Sequence, residues 1–461
     1  MFKDKIDAAN LAVVDANNTN SLTYNDLFEL GDLIKGKIEY PNQITGIVVG
    51  KNFPDTALVM ACLLSDIPIA LVPEEMGSSK EKISKQIGIS QWVSADVDSR
   101  FPSGIGLKFT NSKSDIENDI RVNKDIAVLL FTSGSTGEAN AVALSFANVQ
   151  TNAIQIVEAI GMYPGMRTAL SLSASYSYGF SLLTTTMRVS GTVFVTVATV
   201  LERDFWKQIE FNRIEQFAGV PWTYQAIKRT RIDLSVFKDL KLITQAGGNL
   251  SVDVRKHFHS QLEMASKEFI VMYGQTEASP RMSVMPHQLL PQAWDSAGLA
   301  LKGSTFEILD EKHDSEIVFK GPNVALGTIK SVNDLAAEDQ LNGVLYTGDV
   351  GSITDEGFLK ISGRIKRIAK VNGKRINLDE VERLINANVA CVSIPHANSE
   401  RIFIGIDTAK DEHPLLINTE VLAAQLGIRQ SDFLISLLEE IPLLPSGKVD
   451  YIKIRRVAES E

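Results

Sequence analysis

An α/β fold is what this chain predicts, and three observations carry the prediction. Short, near-continuous apolar runs recur through the first 275 residues. Segments with helical spacing separate several of them. One of the runs, Ile126-Ala-Val-Leu-Leu-Phe131, empties directly into a loop of small hydroxyl residues and glycines. Strands that are apolar on both faces belong to sheets covered by helices on either side.

The strands are expected at Thr45–Val49, Ile67–Val72, Ile126–Phe131, Thr168–Leu172, Thr192–Val197, Phe217–Val220, Leu242–Thr244 and Phe269–Met272. Helical spacing marks Asp55–Leu64, Phe146–Ile160 and Val252–His259. From about Gly298 to Ile361 the runs become short and alternating, with Gly, Asp and Asn at the turns, which reads as a small antiparallel β region. After Gly363 comes a basic cluster, Arg364-Ile-Lys-Arg367, and then a mixed tail: helix Asp379–Ala387, strand Ala390–Ile394, strand Ile402–Asp407. A domain boundary is placed at Gly363–Lys366, dividing the 461 residues into 1–363 and 364–461. No internal repeat and no low-complexity segment interrupts this order.

Composition narrows the function classes. A net charge of −10 argues against nucleic-acid binding, whose phosphate contacts need a basic face. Met1-Phe-Lys-Asp-Lys-Ile-Asp7 has acids where a signal peptide has its apolar core, and no apolar run reaches membrane-spanning length. Cys62 and Cys391 each sit inside an apolar segment and read as buried thiols in a reducing cytoplasm. His257 and His259 form a lone His-x-His without the further ligands a zinc site needs.

The loop Thr132-Ser133-Gly134-Ser135-Thr136-Gly137 is suited to phosphate oxygens. Its glycines let backbone N–H groups turn inward, and its hydroxyls add donors. It is not the common phosphate loop, because the glycines are three apart and no lysine follows Gly137. A Rossmann fingerprint is absent as well. A plain Ser/Gly turn accounts for this loop equally well when it is taken alone.

Three later motifs change that balance. Tyr273-Gly-Gln-Thr-Glu277 puts a hydroxyl and a carboxylate at the end of a strand, where α/β sheets place ligand chemistry. Tyr346-Thr-Gly-Asp349 puts an acid on a tight turn, suited to ribose hydroxyls, with Arg364 as a second sugar or phosphate contact. Leu444-Pro-Ser-Gly-Lys-Val-Asp450 presents Lys448 after a Pro-Gly turn. Each alone reads as an ordinary surface turn.

In this order and at these separations, the four motifs resemble the adenylate-forming (ANL) superfamily, with Gly247-Gly248 and Gly321-Pro322 also in family-like positions. The resemblance implies a large N-terminal domain of two α/β subdomains plus a small β subdomain, followed by a small mobile α+β domain. It implies a reaction in which a carboxylate attacks the ATP α-phosphate, giving an acyl-adenylate and pyrophosphate with Mg²⁺ neutralising charge. By resemblance, Thr132, Ser133, Gly134, Ser135, Thr136 and Gly137 hold phosphates. Gly247, Gly248, Tyr273 and Gly274 line the adenine pocket. Thr276 meets phosphate, and Glu277 holds Mg²⁺. Asp349 and Arg364 hold the ribose. Lys448 bridges carboxylate and phosphate, Lys366 is the hinge, and Gly373 lines a tunnel for a pantetheine thiol.

Two departures stand out. The loop continues Gly137-Glu-Ala-Asn140 where the family has Gly-x-Pro-Lys, so Asn140 replaces the loop lysine. Amino-acid-activating members carry Phe-Asp-x-Ser in the next motif; here it reads Ser175-Tyr-Ser-Tyr-Gly-Phe-Ser181, without the Asp that binds an α-amino group. Tyr176, Tyr178 and Gly179 are then the candidate acid pocket. No phosphopantetheine site of its own is found, so the acceptor is a separate carrier protein or coenzyme A. The resemblance extends to stand-alone enzymes of bacterial cell-envelope modification, a glycine-activating group that serves lipid A among them. The expected substrate is therefore a small amino acid, glycine first. A small-carboxylate CoA ligase and an inactive nucleotide-binding regulator are the alternatives.

Overall fold

The structure is a computed structural model. It describes residues 6–17, 19–40, 42–98, 104–111, 121–132, 140–309, 315–372, 374–385, 390–396, 399–408, 417–443 and 449–460. The chain divides into two compact units, residues 1–305 with 319–345, and residues 306–318 with 346–461.

The first unit is built on two sheets. One has nine strands in the order Leu299–Ala300, Arg281–Met285, Glu268–Gly274, Leu242–Gln245, Gln216–Gly219, Arg167–Leu170, Thr192–Val195, Leu11–Asp15, Ser21–Thr23. Its six central strands are parallel, and each outer strand pairs antiparallel with its neighbour. The other has seven, in the order Gly327–Ile329, Asn140–Ser145, Ile126–Thr132, Ile69–Pro73, Thr45–Val49, Gln91–Val97, Ile105–Asn111. The α/β expectation holds.

The helices between the sheets explain the apolar texture of the sequence. Phe53–Leu64 packs against Leu11–Asp15 of one sheet and against Thr45–Val49 and Gln91–Val97 of the other. It buries residues on every side, including Met60, Cys62 and Leu63, as a helix enclosed all round must. Each such fully buried aliphatic side chain contributes about 1.5–3 kcal/mol. Asn52 caps its start by accepting from the Asp55 N–H at 2.9 Å. Phe146–Ile160 is set by a reciprocal Ser145–Asn148 capping box and ends at Gly161 in the left-handed region (φ 67°).

The β region expected between Gly298 and Ile361 is shared out rather than kept together. Thr305–Ile308, Glu316–Lys320, Val344–Ile353 and Leu359–Arg364 form a four-stranded sheet. Gly327–Ile329 instead leaves to pair with Asn140–Ser145, and Leu299–Ala300 adds to the nine-stranded sheet. The second unit ends in a ribbon, Ile368–Val371 with Lys374–Asn377, and in a three-stranded sheet of Cys391–Pro395, Ile402–Asp407 and Phe433–Leu438. The helix Leu378–Ile385 covers this tail, and 386–387 of the expected helix lie outside the described residues. Both cysteines are buried and free. Among the described residues, no helix is long and apolar enough to cross a membrane.

Candidate active site

The carboxyl ends of neighbouring parallel strands gather the first group of residues. Gln245 pairs with Val271 and with Gly219, so the segments leaving these strands share one edge of the sheet. Gly247, on the first of them, is in the left-handed region (φ 83°), and a Cβ there would lie 2.6 Å from the Tyr176 hydroxyl. Glycine is required both by the dihedral and by the approach of that ring. Buried Arg255 fixes this loop, donating to the carbonyls of Leu250 (2.9 Å), Trp294 (3.0 Å) and Ser296 (2.6 Å) and to Asn249 Oδ1 (3.1 Å). Burial pulls its guanidinium down to about 10, which leaves it charged at neutral pH.

The Tyr273–Glu277 motif is the most firmly braced. A Cβ on Gly274 would fall 1.8 Å from the Pro280 carbonyl oxygen, so nothing larger fits. Thr276–Ala278 form a single 3₁₀ turn. The Glu277 carbonyl accepts from the Ala325 N–H (2.9 Å), and the Leu326 N–H goes to Ala143 of the Asn140–Ser145 strand (2.9 Å). Asn323, fully buried, donates to the carbonyls of Ala278 (2.6 Å) and Arg281 (2.8 Å), and its own carbonyl accepts from the Ser279 hydroxyl (2.7 Å). Asn152 holds the Arg281 backbone from the other side, at 3.1 and 2.9 Å. The turn is thus fixed while its working groups stay free. The Thr276 hydroxyl and the Glu277 carboxylate are half-buried and have no hydrogen bond or ion pair among the described residues. A hydroxyl and a hard oxygen anion held this way suit a phosphate oxygen and Mg²⁺.

The two strands that flank residues 133–139 pair with each other, and one of them reaches this turn. Thr132 pairs with Asn140 across Ile126–Thr132 and Asn140–Ser145, and Asn140–Ser145 packs against Thr276–Ala278. Ser133, Gly134, Ser135, Thr136 and Gly137 lie outside the described residues, as do Gly373, Lys448 and the side chain of Lys366.

Within the second unit, Asp349 and Arg364 come together as cross-strand partners. Arg364 Nε donates to Asp349 Oδ1 at 2.8 Å; the carboxylate is almost fully buried and the arginine largely exposed. Gly348 takes φ 68°, and its N–H donates to Glu316 Oε1 at 2.8 Å, fixing the turn that presents Asp349.

Tyr178 and Gly179 begin the helix Ser177–Arg188. The buried Tyr178 hydroxyl bonds with Thr244 (3.0 Å to its carbonyl, 2.9 Å to its side chain), and burial pushes it up to about 12. Gly179 is demanded by packing, since a Cβ would meet the Ser173 carbonyl oxygen at 2.1 Å. Beside them lies Arg281, its guanidinium carbon 4.2 Å from the centre of the Tyr178 ring.

His259 does not group with His257. It stacks on His287 with ring centres 4.1 Å apart, near Glu263. His287 Nδ1 accepts from the Phe269 N–H at 3.1 Å, so in the neutral ring Nε2 carries the proton and offers no lone pair to a metal.

The AMP-binding enzyme family matches residues 46–328. The D-alanine–D-alanyl carrier protein ligase of Streptococcus pneumoniae is 25% identical over 365 residues, covering 70% of this chain and 68% of its own. The 2-succinylbenzoate–CoA ligase of Staphylococcus aureus is 24% identical over 411 residues, 81% of each. The structure of o-succinylbenzoate CoA synthetase from Bacillus subtilis with ATP and magnesium ion superposes with a TM-score of 0.74 at 18% identity, covering 95% of both chains. The chain belongs to the AMP-binding enzyme family. The o-succinylbenzoate CoA synthetase structure holds ATP and a magnesium ion, and the family to which this chain belongs is one of AMP-binding enzymes.

Sequence reasoning missed Asn152, Asn323, Arg255 and Arg281. Asn152 left a trace, a polar residue on the apolar face of Phe146–Ile160. Arg281 left another, a charge opening a short, wholly buried strand.

Proposed function

We propose that the chain joins a small carboxylic acid to the α-phosphorus of ATP, releases pyrophosphate, and passes the acyl group to a phosphopantetheine thiol. One observation carries this reading: an immobilised turn that leaves the Thr276 hydroxyl and the Glu277 carboxylate without partners among the described residues. Glu277 would hold Mg²⁺, which supplies charge neutralisation at the phosphates. Gly247, Gly248, Tyr273 and Gly274 would border the adenine, Tyr176, Tyr178 and Gly179 the acid, and the loop Thr132–Gly137 the outer phosphates. Asp349 would accept from the ribose, steadied by Arg364. Lys448 would complete the adenylating state. Asn140 in place of the loop lysine is expected to weaken ATP binding without stopping the chemistry.

Support for a hinge at Lys366 comes from its neighbours. Arg364 ties back to Asp349, whereas Arg367 ties forward, to Asp379 and at 2.7 Å to Glu382, with its guanidinium 4.8 Å from the Tyr451 ring. Only Ile365 and Lys366 lie between these anchors. We place the mobile domain at 364–461, with Gly373 at the thiol tunnel.

In the carrier-loading form of this reading the acid is a small amino acid, glycine first, delivered to a separate carrier protein for lipid A or other cell-envelope modification. The D-alanyl carrier protein ligase relatives and the compact Tyr176–Tyr178 segment support it. In the second form the acid is a small carboxylate and the acceptor coenzyme A. The cation of Arg281 beside Tyr178 favours that form. Exchange of labelled pyrophosphate into ATP, run across amino and simple carboxylic acids, tests the common step. Capture of the product on coenzyme A or on a phosphopantetheinylated carrier separates the two forms. Exchange with no acid at all ends both and leaves a nucleotide-binding regulator.

A further inference from the structure

We propose that Arg281 sets the charge of the acid this enzyme accepts, and that the acid carries a second, anionic group, as a short dicarboxylate does. The inference rests on the adenylation reading and names its substrate class. Arg281 is the first residue of the strand that follows the Thr276–Glu277 turn. Its backbone is held by Asn152 on both its N–H and its carbonyl, and by Asn323 on the carbonyl. The side chain is 3% exposed. Its Nη2 donates to the Ser181 hydroxyl at 3.2 Å, and its guanidinium carbon lies over the Tyr178 ring, 4.2 Å from the centre. Among the described residues its Nε has no hydrogen-bond partner, and no carboxylate pairs with it.

Arg255 shows what a structural arginine does in this same unit. Equally withdrawn from solvent, it spends its donors on three carbonyls and an amide oxygen. Arg281 has one hydroxyl and one ring face for five N–H donors. A guanidinium taken out of water and left so incomplete is stabilised by an anion that supplies the missing acceptors. Its immediate neighbours, Tyr178 and Ser181, belong to the helix Ser177–Arg188 behind Tyr176, the segment assigned to the acid. That segment, Ser175–Ser181, holds no acidic residue. An ammonium group placed there would face a cation without a compensating carboxylate, so the site disfavours a zwitterionic amino acid and favours a dianion.

Pyrophosphate exchange tests this with near-isosteric pairs: malonate against malonamate, succinate against succinamate and glutarate against glutaramate, with glycine, alanine and aspartate alongside. The expected result is that at least one diacid exceeds its half-amide in kcat/KM by roughly 10- to 100-fold, the worth of a charged hydrogen bond. Arg281→Gln should erase that ratio through KM, and Arg281→Lys should restore part of it. Half-amides or glycine used as well as the diacids by the unmodified enzyme overturn the inference alone, and that measurement needs no variant to fold. A diacid preference that survives in a folded Arg281→Gln variant also overturns it. Exchange with none of the acids overturns the adenylation reading and the inference with it.

Discussion

Asn323 offers the sharpest perturbation of the site, because its two possible roles predict opposite orders of damage. The side chain is fully buried and donates to two carbonyls, those of Ala278 at 2.6 Å and Arg281 at 2.8 Å. In Asn323→Ala the Arg281 carbonyl keeps the donor from Asn152, but the Ala278 carbonyl loses its bond. One buried acceptor left unpaired costs about 1–3 kcal/mol. The small void adds about 1 kcal/mol, for a total loss of roughly 2–4 kcal/mol. Asn323→Asp keeps the shape, removes both donors and turns oxygens toward two carbonyl oxygens. Breaking a buried polar pairing this way costs about 3–5 kcal/mol, so Asp should be worse than Ala. Denaturant unfolding of the full chain measures both. Exchange kinetics should fall in parallel, by roughly 100-fold if the Thr276–Glu277 turn moves by about 1 Å. An Asp variant more stable than the Ala variant would mean that packing, not donation, is what Asn323 supplies, and the bracing account would be wrong.

Four further outcomes are expected. Asp349→Asn should abolish discrimination between ATP and its 2′,3′-dideoxy analogue, which the unmodified enzyme should show at about 10- to 100-fold in KM; unchanged discrimination would remove Asp349 from the ribose site. Lys448→Ala should depress adenylate formation far more than thioester formation from preformed adenylate, and equal losses in the two half-reactions would contradict its assignment. Gly274→Ala should fail to accumulate as folded protein, because its Cβ would sit 1.8 Å from the Pro280 carbonyl oxygen. The fourth concerns acid. Burial, and then the neighbouring His259, holds His287 below the usual imidazole range. Its folded pKa is depressed, so the unfolded chain binds the proton first, and stability should fall as pH drops below about 6.5. His287→Asn keeps an acceptor for the Phe269 N–H and should flatten the unfolding profile between pH 7 and 5.

Much of the frame was legible because local chemistry decides it. Thr45–Val49, Phe146–Ile160 and Ile402–Asp407 fall where the sequence places them, each an apolar run or stripe bounded by a capping or turn residue. The edge hairpin Gln91–Val97 with Ile105–Asn111 was missed, because its outer half faces solvent and its sequence alternates too weakly to stand out. Gly327–Ile329 was misassigned to the small β region since nothing local states which sheet a three-residue strand will join. Asp349 and Arg364, named from two separate motifs, are cross-strand neighbours of one hairpin, a pairing that the sequence spacing alone does not state. Asn152 and Asn323 were invisible as a pair: they lie 171 residues apart and meet only through the Arg281 carbonyl. Such braces are products of tertiary closure, and single-sequence patterning does not encode them.

The two arginine clasps on either side of Ile365 and Lys366 have a mechanical meaning. One grips what comes before, the other what comes after, and between them Ile365–Arg367 form a single 3₁₀ turn. A swivel of the tail about Lys366, as proposed, would turn that short wrist and release the Asn377 side chain from the Ser362 carbonyl, 3.0 Å away. A joint gloved at both cuffs would favour discrete poses over a continuum, as the two successive reactions proposed for this chain would require.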